Sequence, residues 1–249
     1  MKPEAVICFR WEPQRGYRST FGPEAVNVLR AMVARHYPHP HRFICFTDDP
    51  KGLDPRVDAR PIWQDFATIP SPHGGKNPSC YRRLRLFRAD MADLLGTTRF
   101  VSLDLDCVIT RDLTPLWDRP EDFVMWGDTN PLPGSHYNGS MVLMTAGARQ
   151  HVWDTFDPMT SPQRAKAAGC FGSDQGWISY CLGPGEARWT KADGVYSFRN
   201  HLRDRTTSLP DNARIVFFHG STDPWTPGLR HQYPWVGQHW MSEAAVCAS

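Results

Sequence analysis

Two carboxylates one residue apart, Asp104 and Asp106, follow the run Arg99-Phe100-Val101-Ser102-Leu103 and precede Cys107-Val108-Ile109-Thr110. A mostly apolar run of this kind predicts a buried strand, here one with both acids at its C-terminal end. Alternate side chains of an extended chain share a face, so Asp104 and Asp106 are expected to point one way while Leu105 turns into the core. Carboxylates held that close repel unless a cation or a shared proton lies between them, and an open parallel sheet presents its ligands beyond the carboxyl ends of its strands. A divalent metal site is the economical reading, and a solvated turn after the strand is the plain alternative. Further polar residues leave a β-like run or open a helix at Asn138, at Asp174 and Gln175, and at His219. Together with the two aspartates they can converge on one sheet edge.

The elements that must position these groups are legible in order. Residues 5–9 read as a strand that ends in Arg10-Trp11. Pro23 suits a first helical position, and Val26, Leu29, Val33 and Tyr37 recur at helical spacing before Pro38 and Pro40 stop the helix. Residues 42–46 form a second strand, closed by Thr47-Asp48-Asp49-Pro50. The unit is βαβ, which puts the loops after Phe9 and Phe46 on one edge of the sheet. Residues 57–62 read as an edge strand, and 63–78 as a long loop. Ser79 is placed to cap a helix with Tyr81, Leu84, Phe87, Met91 and Leu94 on one face and Gly96 as its stop, leading into the Asp104 strand. Strands are expected at 123–126, 141–144 and 215–218, and helices over 147–156 and after Ser173, which would cap Asp174 and Gln175 in a first turn. His36, His39 and His41 straddle two prolines with no acidic partner nearby in sequence, which reads as a surface turn and not a metal cluster.

With 249 residues and a net charge of +2, the chain suits one α/β domain, and no basic block suggests a nucleic-acid partner or a membrane surface. Seven cysteines is an odd number, and Cys8, Cys45 and Cys107 lie in or just after apolar runs, as reduced buried thiols do. No apolar run is long enough to span a bilayer, and no secretory leader is evident, so the expectation is a soluble, cytoplasmic protein. Residues 226–249, rich in Trp and Pro, are expected to be an irregular tail packed on or near the site.

With these elements in order, the sequence resembles the GT-A-fold nucleotide-sugar transferases, most closely the branch related to glycosyltransferase family 8, the glycogenin and lipopolysaccharide galactosyltransferase group. The likeness is carried by Leu103-Asp104-Leu105-Asp106 as an Asp-x-Asp, Tyr81-x-Arg83-Leu84, Tyr137-Asn138-Gly139-Ser140, Asp174-Gln175, and His219-Gly220-Ser221-Thr222-Asp223-Pro224-Trp225. It implies a single Rossmann-like GT-A domain over residues 1–249, with a mixed, mostly parallel central sheet flanked by helices. It also implies transfer from a nucleoside diphosphate sugar, usually UDP-linked, with Mn²⁺ or Mg²⁺, to a glycan, lipid or protein acceptor. Retention is implied by the resemblance alone. By the same resemblance Asp104, Asp106 and His219 would ligate the metal, and Arg83 would contact the donor. Asn138, Asp174 and Gln175 would be the catalytic residues, lining the sugar subsite, Arg10, Trp11, Thr47 and Asp48 would hold base and ribose, and Leu105, Gly220 and Trp225 would complete the donor site. The chemistry agrees with the residue types, because a leaving diphosphate needs its developing charge neutralised, and carboxylates with one imidazole suit Mn²⁺ at least as well as Mg²⁺.

The likeness has departures. The family pattern is His-x-x-Gly-x-x-Lys-Pro-Trp, whereas Gly220 here follows His219 at once and Asp223 stands in the place of the lysine. Rival readings are a non-catalytic descendant that binds nucleotide or glycan, and a haloacid dehalogenase-type phosphatase built on Asp104-x-Asp106. The phosphatase reading suffers because a βαβ unit precedes the motif and Gly172-Ser173-Asp174-Gln175 lacks a second acid.

Overall fold

The helix Pro23–His36 connects strands β1 (Ala5–Arg10) and β2 (Arg42–Thr47), which pair in parallel with Cys8 opposite Cys45 and Arg10 opposite Thr47. The helix buries Val26, Leu29, Met32 and Val33 and ends at Tyr37, whose extended backbone is what a residue before proline prefers. The expected βαβ unit is therefore present, and both strands finish at one edge. This computed structural model describes residues 1–12, 21–73, 80–127, 134–220 and 222–242.

Around that unit the remaining strands β3 (Asp58–Pro61), β4 (Arg99–Leu103), β6 (Phe123–Trp126), β7 (Asn138–Thr145) and β8 (Ala187–Trp189) complete a seven-stranded sheet in the order β3-β2-β1-β4-β7-β6-β8. Only β7 runs against its neighbours in this sheet, so the single α/β domain has the mixed, mostly parallel sheet that was expected. From β1 the strand order departs toward β2 on one side and β4 on the other. A reversal of that kind opens a crevice beyond the carboxyl ends of the two strands, where ligands of open α/β sheets bind.

The stretch 99–110 is two strands and not one. β4 belongs to the large sheet, while β5 (Cys107–Ile109) joins β10 (Ile215–Phe217) and β9 (Val195–Ser197) in a separate three-stranded sheet. Asp104, Leu105 and Asp106 make the bend between the sheets. The apolar run continues through the bend because both sheets bury it, and a continuous apolar pattern cannot show where one sheet hands over to another.

The expected helix before β4 is likewise two elements, a 3₁₀ segment Cys80–Phe87 and a short α-helix Met91–Leu95 that Gly96 ends at φ +63°. Tyr81, Leu84 and Phe87 are three residues apart, the period of the tighter helix. The cap assigned to Ser79 lies outside the described residues. Strand β7 begins at Asn138, earlier than expected, and within 147–156 only His151–Asp154 is helical. The three-residue strands β8 and β9 and the helix Ser161–Ala167 were not anticipated, the strands being too short to show a period.

The expectation of an irregular tail is also corrected. Its described part, to residue 242, forms two short helices, Leu229–Gln232 and Pro234–His239, and buries Tyr233, Trp235, Val236 and Trp240 in the same apolar cluster as the helix Pro23–His36. Among the described residues no helix is long and apolar enough to cross a membrane. Among the described residues no two cysteines form a disulfide, Cys8, Cys45 and Cys107 being buried, and Cys247 lies outside the described residues.

Gly194 couples the small sheet to the turn before it. Its carbonyl accepts from the N–H groups of Arg214 and Ile215, 2.9 and 3.2 Å away, and at φ +87° a Cβ on it would lie 2.3 Å from the Asn212 carbonyl oxygen. Gly194→Ala is therefore expected to cost about 2–4 kcal/mol, from positive φ and a backbone clash together. In a chain of this size that lowers the thermal midpoint by about 5–15 °C. An unchanged midpoint would contradict the close approach.

Candidate active site

Arg83 leaves the 3₁₀ segment toward the end of β4 and divides its guanidinium between two acids. Nη1 donates to Asp104 Oδ1 at 2.7 Å, while Nε and Nη2 lie 2.8 Å from Asp174 Oδ2. The side chain of Asp174 is only 3% exposed and that of Arg83 14%. Burial by itself would favour the neutral form of Arg83, but Asp174 and Asp104 more than reverse this and hold its pKa well above the usual value. Burial first, with Asp174 and Asp104 adding to it and Arg83 and Ser173 opposing, pushes the neighbouring Cys80 thiol up to about 12, so it stays protonated and unreactive.

The approach of Arg83 depends on Gly139, where a Cβ would come within 3.1 Å of Nη2 and 3.6 Å of Asp174 Oδ2. Beside it Asn138 turns its own chain, its Oδ1 accepting from the Ser140 N–H at 2.9 Å, while the Ser140 carbonyl accepts from the Asp104 N–H at 2.9 Å. Ser173 stands at the N-cap of the helix Asp174–Leu182 but makes no capping hydrogen bond; its hydroxyl donates to Asp174 Oδ1 at 3.1 Å. Gln175 folds over Gly172, where a Cβ would lie 2.8 Å from its Nε2. The structure thus brings Arg83, Asp104, Asn138 and Asp174 into one cluster, with Gln175 next to it.

Asp106 and His219 meet through the backbone. The Phe218 N–H donates to the Asp106 carbonyl at 2.7 Å, so His219 leaves β10 beside the buried Asp106. The imidazole Nε2 is 2.7 Å from Ser197 Oγ, and the ring stands edge-on to Trp126 at 5.7 Å. Leu105 is buried in the core, as expected. Because 104–106 is a bend, the extended-chain reason for the two aspartates to share a face does not hold, and among the described residues no three His, Cys, Asp or Glu side chains are gathered as a metal set. The donor types still fit a divalent ion: two carboxylates and an imidazole are tied to one region by backbone hydrogen bonds, and Arg83 takes only one oxygen of Asp104.

The residues expected around a base and ribose lie at the ends of β1 and β2. Arg10, Trp11 and Asp48, with Glu12, Phe21 and Asp49, line a cleft of about 380 Å³. Arg10 is tied to its walls, Nε donating to the Phe21 carbonyl at 2.9 Å and Nη1 to the Asp49 carbonyl. Asp48 Oδ2 accepts from the Glu12 N–H at 3.0 Å, and Arg82 lies over the Trp11 ring at 5.2 Å. Thr47 is buried behind the cleft, its hydroxyl bonded within its own turn to Asp49. Trp225 packs edge-on against Phe21 at 5.7 Å and beside Trp240 at 5.6 Å, so the tail supports a wall of the cleft. Gly220 adopts φ +114° against the Arg199 side chain. Ser221 and Lys76 lie outside the described residues. Sequence reasoning missed Glu12, Phe21, Asp49, Gly139 as a cradle and Ser197; only Gly139, in an Asn-Gly pair after a loop, carried a signal.

No family model and no curated protein matches the chain. Solved structures do. The galactosyltransferase LgtC, solved with donor and acceptor sugar analogs, superposes with a TM-score of 0.60 at 14% identity, covering 98% of this chain and 99% of that one. The fold is that of the GT-A glycosyltransferases. The Streptococcus pneumoniae glycosyltransferase GlyE gives 0.56 at 12% identity, over 95% of this chain and 62% of that one. Mouse xyloside xylosyltransferase 1 gives 0.54 at 11% identity, over 87% and 98%. Identities this low speak for the GT-A architecture and leave chemistry to the side chains.

Arg83→Met is expected to lower stability by about 3–5 kcal/mol, because it strands a buried carboxylate at Asp174. Adding Asp174→Asn should restore most of that loss, a coupling that a double-mutant cycle in denaturant reads directly. If the double variant is as unstable as Arg83→Met alone, the ion cluster is not what holds this part of the fold.

Proposed function

We propose that this chain is a metal-dependent glycosyltransferase that moves a sugar from a nucleoside diphosphate sugar, UDP-linked first in order, to a glycan, lipid or protein acceptor. The observation that carries the reading is the Arg83, Asp104 and Asp174 cluster at the carboxyl end of β4, where the strand order reverses and next to the cleft at the ends of β1 and β2. Retention of configuration belongs to the reading on the strength of the family resemblance.

Asp104, Asp106 and His219 would hold Mn²⁺ or Mg²⁺, which when bound neutralises charge on the departing diphosphate. Arg83 holds Asp174 and Asp104 in fixed orientations, so neither carboxylate has to reorganise when a sugar arrives. Asn138 keeps its amide N–H group for a sugar hydroxyl, since its oxygen is engaged by the Ser140 N–H. Asp174, its carboxylate taken by Arg83 and Ser173, positions the subsite that Gln175 borders. The half-buried rings of Trp11 and Phe21 offer faces for a base between β1 and the tail.

A nucleoside diphosphate at about 100 times its dissociation constant adds about 2.7 kcal/mol of stability, so with Mn²⁺ the thermal midpoint should rise by about 5–10 °C. Asp106→Asn should remove the Mn²⁺-dependent part of that rise. The active protein should also pass sugar slowly from a matched donor to water, which separates it from a non-catalytic binding descendant. No stabilisation by any nucleoside diphosphate, or an unchanged response in Asp106→Asn, would sink the proposal.

A further inference from the structure

We propose that Arg199 receives the diphosphate of the donor, filling the part for which this chain carries Asp223 in place of a lysine. This deepens the donor reading above and rests on it. Arg199 lies in the single helical turn Phe198–Leu202, which the Arg203 N–H closes onto the Phe198 carbonyl at 2.7 Å. The turn starts directly after Ser197, whose Oγ is 2.7 Å from His219 Nε2 and accepts from the Asn200 N–H at 3.0 Å. The same hydroxyl therefore ties the imidazole to the turn that carries Arg199.

The side chain of Arg199 runs against Gly220, the residue after His219. A Cβ built on Gly220 would be 3.3 Å from Arg199 Cδ and 3.5 Å from Nη1, and φ there is +114°. Glycine meets both demands, because its backbone tolerates the conformation and it leaves room for the guanidinium. A diphosphate held beside the His219 imidazole would stand next to the residue on which Arg199 rests.

Arg83 and Arg10 are committed, while Arg82 lies over the Trp11 ring at the cleft. Arg83 is divided between Asp104 and Asp174, Arg10 is tied to the Phe21 carbonyl and to Asp49, and Lys76 lies outside the described residues. The Arg199 side chain has no hydrogen bond or ion pair among the described residues. Its planar fork can take two phosphate oxygens at once, which a lysine in the place of Asp223 could not.

The test is calorimetric titration of UDP, UMP and uridine in Mn²⁺ at fixed salt, with thermal midpoints recorded for each variant. Arg199→Ala should weaken UDP by about ten- to a hundredfold, the size of a lost charge-assisted phosphate contact, with UMP and uridine within about threefold and the midpoint unchanged. Arg199→Lys should recover part of the loss, and Asp223→Lys placed on Arg199→Ala should recover at least about tenfold by returning a cation from the other side. An unaltered UDP affinity in Arg199→Ala would overturn the assignment while leaving the donor reading in place, and an equal loss for UDP and uridine would show a general structural effect and overturn it too. Absence of UDP binding by the unaltered protein would remove the donor reading, and this assignment with it.

Discussion

The arrangement of this site depends on one guanidinium shared by two acids. Arg83, Asp104 and Asp174 come from a 3₁₀ segment, a bend between two sheets and the first turn of a helix, and no local sequence preference would hold these parts in register. A buried arginine without partners would be costly, and a nearly inaccessible aspartate without one more so. Together they satisfy each other, and the fork geometry of the guanidinium fixes the direction of both carboxylates. Gly139 makes the arrangement possible by leaving no side chain where Nη2 must lie.

The sheet decides where such a cluster can face a ligand. Because β1 is flanked by β2 on one side and β4 on the other, the ends of β1 and β4 border the crevice where connections depart in opposite directions. The cleft lined by Arg10, Trp11 and Phe21 lies on one side of that crevice, and the Arg83 cluster with Asp106 and His219 on the other. The small sheet acts as a bracket. Its strand β10 returns the chain to Asp106 from more than a hundred residues downstream and delivers His219 there. The C-terminal helices complete the surround, since Trp240 supports Trp225 and Trp225 supports Phe21.

Electrostatically the site is balanced and not strongly basic. Arg83 and Arg10 are both neutralised by acids, and Asp223 adds negative charge to the loop after His219. Affinity for an anionic ligand must therefore come from cations with no acid of their own, or from an ion that the carboxylates bring in.

The sequence by itself determined the βαβ unit, the strand at β4, the acids after it and a resemblance of its motifs to those of GT-A-fold transferases, because these rest on local patterns of periodicity, proline placement and motif spacing. It also singled out Asn138 and Asp174, which open a strand and a helix, and His219, which follows a strand. The tertiary structure alone decided that residues 99–110 change sheets at Asp104 to Asp106, that the segment before β4 is 3₁₀, and that the tail is helical and part of the core. It alone showed that Arg83 is bound to Asp104 and Asp174, that Ser197 holds His219, and that Arg199 lies against Gly220. The physical reason is range. A buried charge pairs with whatever the packed chain brings within about 3 Å, and a glycine is required by a neighbour distant in sequence, so neither leaves a period or spacing in the chain around it.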